Sequence, residues 1–198
     1  MRKWLKDKKV DEEKESLRRE ILKKFSSFSD EELKRRSKNV ERNLQNLLVY
    51  KEARCILAYY PLRKEVNILG ILKEALEKKQ VCFPVIDWEK EEIVPYQVKD
   101  LRRDFVRGRM GIKEPDISKT REVELEKVDV VIVPGLAFDK RKNRLGRGKG
   151  FYDRFLKRLE EKTKKVGVIF DFQLLESLPF NFPQDEKVDL IVTESSSF

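Results

Sequence analysis

The chain contains no histidine. That absence removes the Ser–His–Asp and Cys–His routes to an activated nucleophile, and with them the usual histidine zinc sites. Proton transfer falls to Asp, Glu, Lys, Tyr or Cys, and a metal is expected to be oxygen-bound magnesium. Cysteine is nearly absent too. Cys55 and Cys82 each sit in an apolar, strand-like run, which fits buried free thiols better than a disulfide or a metal pair. Long hydrophobic runs are also missing. No segment approaches the length of a membrane-spanning helix, and the opening MRKWLKDKKVDEEKE lacks the apolar core of a signal peptide. The expectation is a cytoplasmic protein with no membrane partner. There is no internal repeat, low-complexity tract or Gly/Ser linker.

What is abundant is charge. Of 198 residues, 41% are charged and 39% hydrophobic, with a formal net charge of +9. The length suits one domain spanning 1–198 with a real core, and the charge favours polyanionic partners such as nucleotides, RNA or anionic metabolites.

The most informative stretch runs from Val130 to Leu156, VVIVPGLAFDKRKNRLGRGKGFYDRFL. Its apolar run reads as a strand ended by Pro134-Gly135, followed by a basic loop (144–153) and an amphipathic helix packing through Phe151, Tyr152, Phe155, Leu156 and Leu159. Gly146, Gly148 and Gly150 can turn successive N–H groups into one concavity where an anion sits, while Arg144, Arg147 and Lys149 add full charges. The helix that follows contributes unpaired N–H groups, and Asp153 in its first turn could hold magnesium against phosphates. The pattern matches neither the P-loop, which needs four residues between its glycines and a Ser or Thr after the Lys, nor the dinucleotide fingerprint G-x-G-x-x-G. The residues alone therefore leave open a basic surface turn.

Elsewhere, residues 11–27 read as a helix with Leu17, Ile21 and Phe25 on one face, and Lys14 and Arg18 share a face beside them. Ser29 and Glu32 form a capping-box pattern opening a helix to about Tyr50, with Leu33, Val40, Leu44, Leu47 and Leu48 on its stripe. This helical pair covers about 11–50. Strands are expected over Arg54–Tyr60, Val81–Ile86, Glu92–Val98, Val166–Phe170 and Val188–Val192, and a helix carries Ile68, Leu72, Ala75 and Leu76. Alternation of strands and helices argues for one three-layer αβα domain of the α/β class with a largely parallel central sheet. Glu65 lies just past a strand's carboxyl end, where such sheets keep ligand crevices, though it also suits an ordinary first-turn acid. Arg102, Arg103, Arg107 and Arg109 form a basic run with few aromatics, a poor match to an RNA-stacking surface.

The string Pro134-Gly135-x-Ala137-Phe138-Asp139, then Arg144-Leu145-Gly146-x-Gly148-x-Gly150-Phe151-Tyr152-Asp153-Arg154, closely resembles the signature of the 5-formyltetrahydrofolate cyclo-ligase family. So do Lys14-Glu15-Ser16-Leu17-Arg18 (K-x-x-L-R) and Gly108-x-x-Gly111-Ile112-x-Glu114-Pro115. Gln184-Asp185-x-x-x-Asp189 is similar to the family's H-D-x-x-x-D with the histidine replaced. The resemblance implies an α/β enzyme that uses ATP and Mg2+ to convert 5-formyltetrahydrofolate to 5,10-methenyltetrahydrofolate. It further implies that Lys14, Arg18 and the loop Arg144, Leu145, Gly146, Arg147, Gly148, Lys149, Gly150, Phe151 and Tyr152 bind ATP. By the same resemblance Tyr60, Glu65, Arg147, Gly148, Lys149, Gly150 and Phe151 contact the folate, and Asp153 and Asp189 hold the metal. Glu65, Arg144 and Lys149 would be the catalytic groups. The expected partners are small molecules, including a polyglutamylated substrate, acting on a monomer without nucleic acid. Read without the resemblance, the same residues also suit an RNA-binding protein, or an α/β protein binding a sugar phosphate or coenzyme.

Overall fold

A computed structural model of the chain describes residues 2–181 and 184–198. In chain order the helices are α1 (Arg2–Lys24), α2 (Asp30–Asn46), α3 (Leu48–Glu52), α4 (Leu69–Ala75) and α5 (Phe151–Leu156). The strands are β1 (Cys55–Leu57), β2 (Gln80–Asp87), β3 (Glu92–Val98), β4 (Phe105–Arg107), β5 (Lys113–Pro115) and β6 (Arg121–Glu122), then β7 (Val130–Pro134), β8 (Ala137–Asp139), β9 (Arg144–Leu145), β10 (Lys164–Val168), β11 (Leu174–Leu175) and β12 (Leu190–Val192).

Seven strands make the central sheet in the order β12-β10-β7-β1-β2-β3-β6. The five from β12 to β2 run parallel, and β3 and β6 extend them antiparallel. The expected α/β architecture with a mostly parallel sheet is therefore observed. Side chains alternate across it as the two-residue period requires. On β7, Val130 and Ile132 join the core under α1, α2 and α4, with Ile21, Val40, Leu44 and Leu72. Val131 and Val133 point to the opposite core, where Phe155 and Leu156 of α5 cover them. Strands buried on both faces explain why these segments read as continuous apolar runs.

Local chemistry sets the boundaries. Ser29 Oγ accepts the Glu32 N–H at 3.1 Å, starting α2 as expected. The Glu32 carboxylate does not close a capping box; it takes Arg35 and Arg36, and Arg36 reaches Glu194 at 2.6 Å. The α2 helix stops at Leu47, whose ψ of 134° is extended, so Leu48 leaves the apolar stripe and is 66% exposed. The first helix starts well before residue 11; its opening RKWLKDKKV is rich in Lys, a good helix former, and its few apolar residues do not recur at helical spacing to reveal it. Cys55 and Cys82 are buried free thiols, as expected.

The Pro134-to-Asp139 segment is explained by one ring. A Cβ at Gly135 or at Gly167 would collide with Phe138, which is fully buried between them. Asp139 is also fully buried, and its carboxylate accepts the N–H groups of Arg141, Asn143 and Leu178 and the Asn143 amide, all at 2.8–2.9 Å. That carboxylate folds the turn between β8 and β9. The short β8–β9 hairpin, which the sequence pattern did not reveal, stands between the strand and the glycine loop.

Candidate functional site

The strand order reverses between β1 and β7: from β1 the chain moves to β2 on one side, and later enters β7 on the other. In open α/β sheets such a switch point leaves a crevice at the carboxyl ends of the strands. Here it opens into a cleft of about 830 Å³, lined by Tyr59, Tyr60 and Glu65 after β1 and by Pro134 and Gly135 after β7. The rest of the wall comes from α1, the β2–β3 hairpin, Ile112 and β5, the glycine loop, α5, and Asn181, Gln184 and Asp185. Pro84, Ile86, Trp88, Ile93 and Ile112 supply an apolar, aromatic lining. Eight cationic side chains face five anionic ones, an excess suited to a polyanion.

The glycine loop adopts the conformations its residue types permit. Gly148 and Gly150 have φ of +98° and +68°, which L side chains rarely adopt. Gly150 is the residue immediately before α5, and that helix is only six residues long. The segment after Leu156 continues as turn rather than helix, and Leu159 packs against the core from there, as expected.

Each cation of the loop region has a partner that ties it to another element. Arg18 Nε donates to the Gly146 carbonyl at 2.9 Å. Arg147 donates to Glu65 Oε1 at 3.0–3.2 Å, while Glu65 Oε2 accepts the Leu62 N–H at 3.0 Å. Arg144 is buried; its Nη2 meets Asp153 at 2.8 Å and its guanidinium lies 5.5 Å from the Tyr152 ring centroid. Its Nε is buried without an acceptor among the described residues. Burial, with the Glu65 carboxylate nearby, holds the Tyr152 phenol well above its ordinary pKa. Lys149 Nζ lies 5.3 Å from the Trp88 ring centroid, and Trp88 meets Phe151 edge-on at 5.5 Å. Leu145 is buried and contributes to the wall from β9.

From α1, Lys14 is 7% exposed and donates to both oxygens of Asp185, at 2.5 and 2.7 Å. Asp185 Oδ2 also accepts the Asn181 N–H at 2.6 Å. Tyr60 stacks edge-on with Phe105 at 5.0 Å and its hydroxyl accepts from Lys113 at 3.2 Å.

Lys14, Arg18, Tyr60, Glu65, the whole of 144–152 and Asp153 thus converge on one cleft. Asp189 does not. It lies at the start of β12, at the amino ends of the parallel strands, where its carboxylate accepts the Lys165 N–H at 2.7 Å and organises the β10 edge. The acid that shares the cleft with Asp153 is Asp185, whose neighbour Glu186 donates its N–H to Asp153 at 3.3 Å. Among the described residues no three acidic or thiol side chains gather into a metal cage. Trp88, from the turn between β2 and β3, and Glu114, from β5, also line the cleft, and no spacing in the sequence marks either. The Arg102–Arg109 run lies outside the cleft lining; Arg109 stands 5.3 Å from the Trp88 ring centroid.

The model of the 5-formyltetrahydrofolate cyclo-ligase family matches residues 10–194. The mouse 5-formyltetrahydrofolate cyclo-ligase is 29% identical over 94% of this chain and 96% of its own length, and that of Mycoplasma genitalium is 31% identical over 91% and 97%. The solution structure of the Aquifex aeolicus 5,10-methenyltetrahydrofolate synthetase superposes with a TM-score of 0.82 at 38% identity, covering 93% of this chain and 91% of that one. No helix among the described residues is long and apolar enough to cross a membrane. With motif order, cleft and fold in agreement along nearly its whole length, the chain belongs to the 5-formyltetrahydrofolate cyclo-ligase family and is an enzyme of the ligase class.

Proposed function

We propose that the enzyme closes 5-formyltetrahydrofolate to 5,10-methenyltetrahydrofolate at the expense of ATP. The formyl oxygen attacks the γ-phosphorus and its bond to the β-bridging oxygen breaks, releasing ADP. N10 then attacks the activated formyl carbon, loses its proton, and expels phosphate that carries the former formyl oxygen. No covalent enzyme intermediate is needed, which suits a chain without histidine.

The observation that carries this reading is the meeting, in one cleft, of a glycine loop with two positive-φ glycines, a ring of cations and an aromatic wall. Phosphoryl transfer asks the protein mainly for positioning and for neutralisation of charge on the phosphate oxygens. Gly146, Gly148 and Gly150 present backbone N–H groups; Arg144 and Lys149 neutralise the transferring group, and the orphaned Arg144 Nε suits an added anionic acceptor. Lys14 and Arg18 take the nucleotide from the α1 side. Tyr60 and the aromatic wall hold the pterin, and Glu65 fixes Arg147 over it.

Magnesium fits Asp153 and Asp185, since this ion is commonly bound by one or two carboxylates together with phosphate oxygens. When bound it would neutralise phosphate charge. Lys14, now on Asp185, would then be free to turn to the nucleotide. The partners of this reading are small anions rather than nucleic acid or a membrane, acting on a cytoplasmic monomer.

The test is the near-ultraviolet absorbance of the methenyl product on mixing protein with 5-formyltetrahydrofolate, magnesium and ATP. An ATP-dependent rise supports the reading. Absence of a rise with folded protein, together with thermal stabilisation by a sugar phosphate or coenzyme A but not by ATP, would replace it.

A further inference from the structure

Two carboxylates face the aromatic part of the cleft, and their states differ. Glu65 is spent: one oxygen accepts the Leu62 N–H and the other the Arg147 guanidinium. Glu114, on β5, lines the same cleft between Lys113 and Pro115, yet none of the described residues donates a hydrogen bond to it. It packs against Gly108, where a Cβ would collide with Glu114 Oε1. The close approach confines the side chain on that flank. A half-buried carboxylate left without donors, in a wall otherwise made of Tyr60, Pro84, Ile86 and Ile112, costs folding free energy that binding a donor would recover.

We propose that Glu114 is the substrate-positioning residue that reads the amidine edge of the pterin, accepting its N3–H and 2-amino hydrogens with its two oxygens. This rests on the reading of the cleft as a folate site. The complementarity is specific: a carboxylate offers two parallel acceptors, and the pyrimidine half of a pterin offers two parallel donors. The aromatic and apolar neighbours take the ring faces; of the two lining carboxylates that accept no hydrogen bond from the described residues, Asp11 is exposed on α1, and Glu114 is the half-buried one set in the apolar wall. The segment from Gly108 to Pro115 thereby acquires a reason for its residue types, with glycine where the acid folds back and the acid where the substrate edge arrives.

Burial raises the Glu114 pKa above its ordinary value of 4.5. An acid whose pKa is raised on folding stabilises the protein least once ionised: its contribution is most favourable below 4.5 and is lost as pH rises through the raised value. Above that range the ionised, donor-free carboxylate lowers stability, a cost that a bound donor would offset.

The experiment compares wild type with Glu114→Gln and Glu114→Ala, using 5-formyltetrahydrofolate and its 2-desamino analogue. Loss of a charged hydrogen-bonding partner should raise the KM for the folate roughly 10- to 100-fold. The KM for ATP should be unchanged, and the unfolding midpoint of Glu114→Gln at pH 7 should be equal to or above wild type. Wild type should reject the desamino analogue, and Glu114→Ala should accept both about equally. Gly108→Ala, which displaces the carboxylate, should reproduce the folate defect. The assignment is overturned if the folate KM is unchanged, if discrimination against the analogue survives in Glu114→Ala, or if Glu114→Gln is destabilised. A wild-type protein that forms no methenyl product would refute the underlying function, whereas an active wild type with unaffected variants refutes only this inference.

Discussion

Replacing Lys14 by Met leaves Asp185 as an uncompensated carboxylate in a site where both partners are nearly buried, with side-chain exposures of 9% and 13%. Breaking such a pair on one side costs about 3–5 kcal/mol. Solvent remains within reach of both groups, and Asp185 keeps its bond from the Asn181 N–H, so the lower end applies, about 3 kcal/mol. For a protein of this length that shifts the unfolding midpoint by roughly 6–12 °C. The double variant Lys14→Met/Asp185→Asn removes the stranded charge and should recover about half of the loss or more. Activity should behave differently. If Lys14 turns from Asp185 to the nucleotide, both variants raise the KM for ATP far more than that for folate, and stability recovers in the double variant without recovery of ATP affinity. Calorimetry and initial rates on the three proteins decide the matter. A midpoint within about 1 °C of wild type in Lys14→Met, or ATP dependence restored by the second substitution, would refute the reasoning.

Other expectations follow from individual contacts. Asp139→Ala strands three buried donors and a part-buried one and should cost about 3 kcal/mol or more in urea unfolding, whereas Glu176→Ala on the neighbouring surface should be nearly silent. Gly135→Ala drives a Cβ into the Phe138 ring and should destabilise by about 1–3 kcal/mol, with partial rescue by Phe138→Leu. Bonding to Arg35 and Arg36 lowers the Glu32 pKa from 4.5 to about 2. Its contribution is thus present above pH 4.5 and lost as pH falls towards 2, so the stability difference between wild type and Glu32→Gln should shrink through that window. Glu65→Gln weakens the clamp on Arg147 and should lower kcat/KM for the formyl substrate; full retention would show Glu65 to be a bystander.

Much of the molecule was legible in its sequence because the parallel strands, buried on both faces, leave unmistakable apolar runs, and because Gly148 and Gly150 are demanded by backbone angles that L side chains rarely adopt. Lys14, Arg18 and Glu65 could be placed at the cleft only through the resemblance of their motifs to the family's. What stayed hidden depends on geometry that spacing does not encode. The start of α1 carries no apolar stripe, and the break at Leu47 is a backbone turn with neither glycine nor proline to mark it. Asp185 and Asp189 are four positions apart, yet the first lines the cleft and the second binds the Lys165 N–H at the start of β10. Trp88 belongs to a hairpin tip whose importance comes from what packs on it, Phe151 and Lys149, over 60 residues further along the chain.

The central claim, phosphorylation of the formyl oxygen in this cleft, is tested most directly by following that oxygen. With 5-formyltetrahydrofolate labelled with ¹⁸O in the formyl group and unlabelled ATP, mass analysis of the released phosphate reads its destination. The account predicts one labelled oxygen in each phosphate formed. Unlabelled phosphate, with the label released to water, would contradict it.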